Sequence, residues 1–378
     1  MTLEVLDRSQ TETATPATST RAAPQRLGII DCDLHPTVKS LADLKHYLSK
    51  RWWDRIQTYG LRPRHAFVNG DPYPKAAPRA ARRDAWGPDG GQPGSDLGFM
   101  REHYLDAYGV EYAIMAPLYP SGQADQDPEF TTAMVSAVND WQLDAWVRQE
   151  RRLKASILVS YEDAAASVAE IEKRAGDPGF SQVLLLTRTN EPLGRKRYWP
   201  IYEAAERHGL PVAMHVFGYS GFPVSGTGWP SYYLEEMTGH SAACQSVVAS
   251  LVLEGVFERF PGVKFINIEG GFGWLAALSW RLDKHWARLR AEVPHLKRPP
   301  SEYLKEQLYI TTQPMDEPES PRQLIDLMEQ VGFDRLLFAT DYPHWDFDDP
   351  ARALPRGLTD EQTRAIRSEN ARKLFRFD

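Results

Sequence analysis

The regular alternation of helical stretches with short apolar runs constrains this chain more than any other feature. A helical pattern over 99–108 precedes an apolar run at 112–117, and 128–150 precedes 154–160. The order repeats with 164–175 and 182–186, 200–208 and 211–215, 240–260 and 263–268, 274–291 and 308–312, and 320–331 and 335–339. With an opening run at 27–30, the chain reads as eight strands, and helices over 359–369 close it. Repeated strand–helix units imply parallel strands joined by right-handed crossovers. Eight of them, with no Gly-rich phosphate loop after the first, predict an α/β fold, a closed (β/α)8 TIM barrel rather than an open doubly wound sheet.

Length alone would suggest two or three domains for 378 residues, but one barrel with insertions accommodates them. The reading is a single domain over 26–378, preceded by a disordered tail at 1–25 rich in Thr, Ala, Ser and Pro; a processed leader is the lesser alternative. Between 51 and 98 the pattern dissolves into Pro, Gly, Arg and Trp, an insertion after the first strand that reads either as a cap over the site or as a tethered surface excursion. The net charge of −7 argues against a nucleic-acid or anionic-membrane partner, and no apolar stretch approaches the ~20 residues of a membrane helix. Two cysteines, Cys32 and Cys244, exclude a disulfide framework and fit a cytoplasmic protein.

In such barrels the site gathers at the C-terminal ends of the strands. Asp33 and His35 leave the first strand two residues apart, and therefore on one face. The fifth strand ends in His215, the sixth in Glu269 and the eighth in Asp341. One such residue means little; four strand ends presenting metal-capable groups at one rim point to a metal. One or two divalent ions on Asp33, His35, His215 and Asp341 would lower the pKa of a bound water to about 7 and polarise a carbonyl. Asp341 and Glu269 are both candidates to move the water's proton. The oxygen-rich set leaves zinc, manganese and iron open.

Asp-x-His on the first strand, His215 after the fifth, Gly270-Gly271 after the sixth and Thr340-Asp341-Tyr342-Pro343 on the eighth resemble the amidohydrolase superfamily. More narrowly, they are similar to its amidohydrolase-2 branch, with the aminocarboxymuconate-semialdehyde and dihydroxybenzoate decarboxylases. The resemblance runs from about Leu27 to the C-terminus. It implies a distorted barrel holding one or two metals, with Asp33, His35, His215 and Asp341 as ligands, and a homodimer, since relatives are often dimers. Two departures stand out. The family's first-strand motif is often His-x-His or Glu-x-His, where this chain has Asp33; its sixth-strand histidine is here Glu269, a base, a ligand or the bridge to a second metal.

His240 opens the helix before the sixth strand, as a site residue or a helix-start histidine; Arg188 suits a substrate carboxylate or a surface ion pair; His344 and Asp346 follow Asp341 as partners that orient the ligands or as substrate contacts, with Tyr342 as a substrate contact. Trp274 and Trp280 read as packing residues. The resulting expectation is a metal-dependent hydrolase attacking an ester, amide, lactone or thioester of a small hydrophobic or aromatic molecule. Non-oxidative decarboxylation is the alternative, and a metal-free ligand-binding barrel comes third.

Overall fold

A computed structural model of the chain describes residues 28–61, 77–123, 127–217 and 223–378. The expected tail at 1–25 lies outside the described residues, as do 62–76 of the insertion. Eight strands form one sheet: β1 (Ile29–Leu34), β2 (Val110–Met115), β3 (Leu153–Leu158), β4 (Phe180–Leu186), β5 (Val212–His215), β6 (Phe265–Ile268), β7 (Leu308–Thr311) and β8 (Leu336–Leu337). Their order follows the chain, and each pairs in parallel with the next. The sheet closes where the Cys32 N–H donates to Phe338 O at 2.9 Å and the His35 N–H to Tyr342 O at 2.9 Å. This is the (β/α)8 barrel.

The strands are buried almost throughout because helices cover the outside and side chains fill the inside. Helix starts are locally encoded. Asp127 accepts the Glu129 and Phe130 N–H groups ahead of Pro128, and Asp163 accepts the Ala166 N–H. Each such cap is worth about 1 kcal/mol. The seam between β1 and β8 is tied by Asp31, whose carboxylate accepts from Thr340 N–H (3.1 Å), Thr340 Oγ1 (2.7 Å), Tyr104 OH (2.5 Å) and Asp33 N–H (3.1 Å).

Three boundaries differ from the sequence reading. β1 runs on to Leu34, so Asp31 and Asp33 lie within the strand instead of beyond it. The helix expected from His240 begins at Tyr233, where the Glu235 carboxylate accepts the Ser231 and Tyr232 N–H groups, and it breaks at Gly255 (φ 84°) before resuming at Val256. His240 is therefore inside a helix and does not open one. Trp280, expected to pack, is 63% exposed; Trp274 instead donates its indole N–H to Gly270 O.

The insertion is not irregular from its start, since Lys50–Tyr59 form an α-helix, and residues 80–94 of it sit on the rim. Ala81 bridges His344, the Trp345 N–H donates to Ala80 O and the Arg82 N–H to Pro343 O. Gly94 accepts from the Thr37 N–H, and a Cβ there would lie 2.3 Å from His35 O at φ 76°, so only glycine allows this approach. Among the described residues no helix is long and apolar enough to cross a membrane.

Candidate metal centre

β1, β5, β6 and β8 deliver their terminal side chains to one buried point. One ligand atom from each of Asp33, His35, His215 and Glu269 lies within 4.8 Å of the others. Two further clusters overlap this one, His35 with Asp341 and His344, and Glu269 with Asp341 and Asp346. Around the two strand-end histidines, His35 Nε2 lies 2.8 Å from Asp341 Oδ1 and 3.1 Å from Asp33 Oδ1, and His215 Nε2 lies 3.1 Å from Glu269 Oε2 and 3.5 Å from Asp33 Oδ1.

The histidine hydrogen bonds show what this geometry is for. His35 Nδ1 is 2.7 Å from Ala116 O, and His215 Nδ1 is 2.7 Å from Val216 O. A carbonyl only accepts, so each Nδ1 carries a proton and each ring turns its Nε2 to the centre; burial acts to lower the His35 pKa, but Asp33 and Asp341 outweigh it and raise it well above its ordinary value. Both Nε2 atoms, both oxygens of Asp33 and Oε2 of Glu269 are buried without a hydrogen-bond partner. Lone pairs facing lone pairs in a dry site cost at least ~1–3 kcal/mol each unless a cation sits among them. A buried orphan set of imidazole nitrogens and carboxylate oxygens is a divalent-metal donor set, and the backbone bonds to Nδ1 orient it.

Charge says the same. Among the described residues, the ion-pair partners of Asp33, Glu269 and Asp341 are histidines, with no lysine or arginine among them. Burial pushes the Glu269 carboxyl well above its ordinary range, and Asp341, Asp346 and Asp33 push it further. Burial and then Asp346 raise Asp341 in the same way. Burial also acts upward on Asp33, but His35 and His215 together outweigh it and hold that carboxyl low. Glu269 (φ 59°) and Asp341 (φ 62°) both adopt left-handed backbone, at a cost of order 1–3 kcal/mol each, in the turns after β6 and β8.

The remaining predicted residues divide. His344 joins the cluster, with Nδ1 2.5 Å from Asp341 Oδ1 and its ring stacked 4.4 Å from that of His35. Asp346 joins on the Glu269–Asp341 side. Arg188 stands at the end of β4, its side chain 10% exposed and 3.6 Å from Glu236 Oε1. His240 is buried beside the Phe217 ring at 5.0 Å and outside the metal clusters; burial, Arg188 and His215 lower its pKa to about 3. Tyr342 does not face the centre: its ring stacks on Tyr104 at 4.6 Å and its hydroxyl meets His103 Nδ1 at 3.0 Å, as packing under the rim. Sequence reasoning missed Gln313, which follows β7 and reaches Asp341 Oδ2 (3.4 Å) and Asp346 Oδ2 (3.3 Å). Gln313 carries no titratable group, so the rule that singles out the other strand ends passes over it.

The amidohydrolase sequence profile matches residues 30–377. The chain belongs to the amidohydrolase family. This amidohydrolase is 26% identical over 302 residues to the γ-resorcylate decarboxylase of Rhizobium radiobacter, covering 75% of this chain and 88% of that protein. Among solved structures it resembles an amidohydrolase from Mycobacterium avium subsp. paratuberculosis (TM-score 0.70, 21% identity, 93% of this chain and 100% of that one). It also resembles a Polaromonas dihydroxybenzoic acid decarboxylase with bound manganese and the inhibitor 2-nitroresorcinol (TM-score 0.64, 20% identity, 92% and 97%). At these identities the structures establish the fold alone. The expectation of hydrolysis, ester or thioester, is overturned, because the curated relatives matched over most of their length are decarboxylases. A carboxylate at Glu269 suits either reaction, so its residue type does not decide between them.

Proposed function

We propose that this amidohydrolase is a metal-dependent, non-oxidative decarboxylase of a small aromatic acid. The observation that carries it is the similarity to γ-resorcylate decarboxylases over 88% of their length. The donor set supports it. Asp33, His35, His215 and Glu269 would hold the cation, with Asp341 against His35. Manganese, present in the Polaromonas enzyme, suits mixed carboxylate and imidazole ligands. Bound there, the ion would anchor the substrate's carboxylate and offset negative charge on the ring.

The chain's own groups do the rest. Decarboxylation breaks the bond between ring carbon and carboxylate, leaves the electron pair on that carbon, and requires one proton in its place. The His344–Asp341 pair carries that proton: burial and Asp346 raise the Asp341 carboxyl, burial and His35 lower His344 to about 3, so the proton is favoured on Asp341, and His344, 19% exposed, links it to solvent. Arg188, His240 and Phe217 wall the β4–β5 side, where the guanidinium suits a phenolate or second carboxylate on the substrate.

The test is CO2 release from a panel of hydroxylated benzoates by manganese-loaded protein in D2O. The expected product carries one deuterium at the vacated carbon. Absence of CO2 from every carboxylated arene, with metal bound, would sink the reading.

A further inference from the structure

We propose that His240 is a specificity-determining residue whose ring hydrogen-bonds a hydroxyl on the edge of the substrate's ring farthest from the metal-held carboxylate. The inference rests on the proposed function for its aromatic ligand and adds the place of that ligand's substituent.

His240 stands on the inner face of the helix Tyr233–Leu253, where Glu236, His240 and Cys244 recur every fourth residue. Glu236 meets Arg188 at 3.6 Å, and Cys244 packs under Gly270, where an added Cβ would lie 2.5 Å from its Sγ. His240, between them, has no hydrogen-bond partner. Both ring nitrogens are buried and unsatisfied, and the residue is 3% exposed. Leaving them so costs about 1–3 kcal/mol each, a cost that an apolar side chain at this position would not carry. Burial, followed by Arg188 and His215, lowers its pKa to about 3, so the ring offers one N–H donor and one bare nitrogen.

Phe217 connects this ring to the metal centre. Its own ring lies 6.3 Å from that of His215, nearly parallel to it, and 5.0 Å from that of His240. Phe217 is only half-buried, and its φ of 78° is left-handed backbone that costs a bulky residue of order 1–3 kcal/mol. The Arg188 N–H donates to its carbonyl at 2.9 Å and Thr187 Oγ1 at 3.3 Å, so the strained turn is held from the end of β4. A flat ring packed along Phe217, with its carboxylate toward His215, brings its far edge to His240.

Charge selects the substituent. Arg188 already faces the Glu236 carboxylate, so of the groups its guanidinium suits, this edge calls for a phenolic oxygen and not a second carboxylate. That oxygen accepts the imidazole N–H. A ring without it leaves the buried donor unpaired, which is how a polar site rejects a ligand that lacks only a hydroxyl.

The experiment takes the manganese-loaded full chain and measures, by calorimetry, its dissociation constants for nitrobenzene and for the ortho, meta and para nitrophenols. The nitro group stands in for the carboxylate, so no bond is broken. The meta or para isomer is expected to bind about 10–100-fold tighter than nitrobenzene. His240→Phe, at equal bound manganese, should remove that advantage while the ortho isomer, whose hydroxyl stays beside the metal, keeps its own. Equal wild-type affinity for nitrobenzene and for both the meta and para isomers, or an advantage that survives His240→Phe, overturns the inference. So does the loss of all three isomers' advantages together, which is the mark of a disturbed site. Should the larger ring of His240→Phe prevent folding, His240→Leu is read in its place. Binding is read apart from CO2 release, so the hydroxyl advantage can fail in a working decarboxylase, or hold in a protein that releases no CO2.

Discussion

The two ends of the barrel treat their acids in opposite ways. At the N-terminal end, Glu150 just before β3 receives Arg152 Nε at 3.0 Å, Arg152 Nη2 at 2.9 Å and Arg101 Nε at 2.8 Å, while Arg152 Nη1 reaches Asp106 at 2.7 Å. Arg152's hydrogen bonds, opposed by burial and then helped by Arg101, pull the Glu150 carboxyl down to about 2. At the C-terminal end, Glu269 and Asp341 face other carboxylates and histidines, and burial pushes both carboxyls up. One end satisfies its charges from within the chain. The other keeps an excess that only a ligand can satisfy, and it adds left-handed backbone at both acids. Stability and chemistry are assigned to different ends, as in other barrels.

The hardest test of that contrast is His215→Ala, which should abolish bound metal and CO2 release together, read by elemental analysis and product formation. Metal and activity both surviving would break it. Asp341→Asn should fold and still bind the ion, yet lose roughly 10²–10⁴-fold in kcat if its pair with His344 carries the proton. A smaller effect is expected on stability. Chelation should lower the thermal midpoint, by an amount equivalent to about 2.7 kcal/mol at a free metal concentration 100 times Kd. No loss on chelation would mean the rim satisfies its own charges after all.

Glu150→Gln sharpens the comparison from the opposite end. Activity should not change, and stability at neutral pH should fall by only about 0.5–1 kcal/mol, since the pair is partly exposed and screened. The sign with pH follows from the lowered carboxyl: its folded value of about 2 lies below the ordinary 4.5, so its contribution is present above 4.5 and is lost as pH falls toward 2. Wild type and Glu150→Gln should therefore converge in urea midpoint on acidification. A gap that widened instead would remove Glu150 from the stabilising network.

Much of the site was legible because the relevant spacings are short. Asp33 and His35 meet at 3.1 Å because strand residues two apart share a face, and the sequence shows that directly. Gln313 was overlooked because a glutamine after a strand carries no chemical signal until it is seen between two aspartates. Tyr342 read as a substrate contact from its place beside Asp341, yet the turn sends consecutive side chains to opposite sides, and Tyr104 waits beneath. His240 was placed at a helix start because the capping glutamate at Glu235 was not weighed against the later apolar spacing.

The amino-acid sequence by itself determined the eight-fold strand–helix order, and with it which residues would stand at one rim, because hydrophobic periodicity and turn chemistry act over a few residues. Only the tertiary structure decided which of those rim groups share a centre, which histidine nitrogen faces it, and that Glu269 stands between two clusters. Those facts depend on the Ala116 carbonyl, 81 residues from His35, and on the β1–β8 seam, whose contacts join residues up to 309 apart, which no local pattern can report.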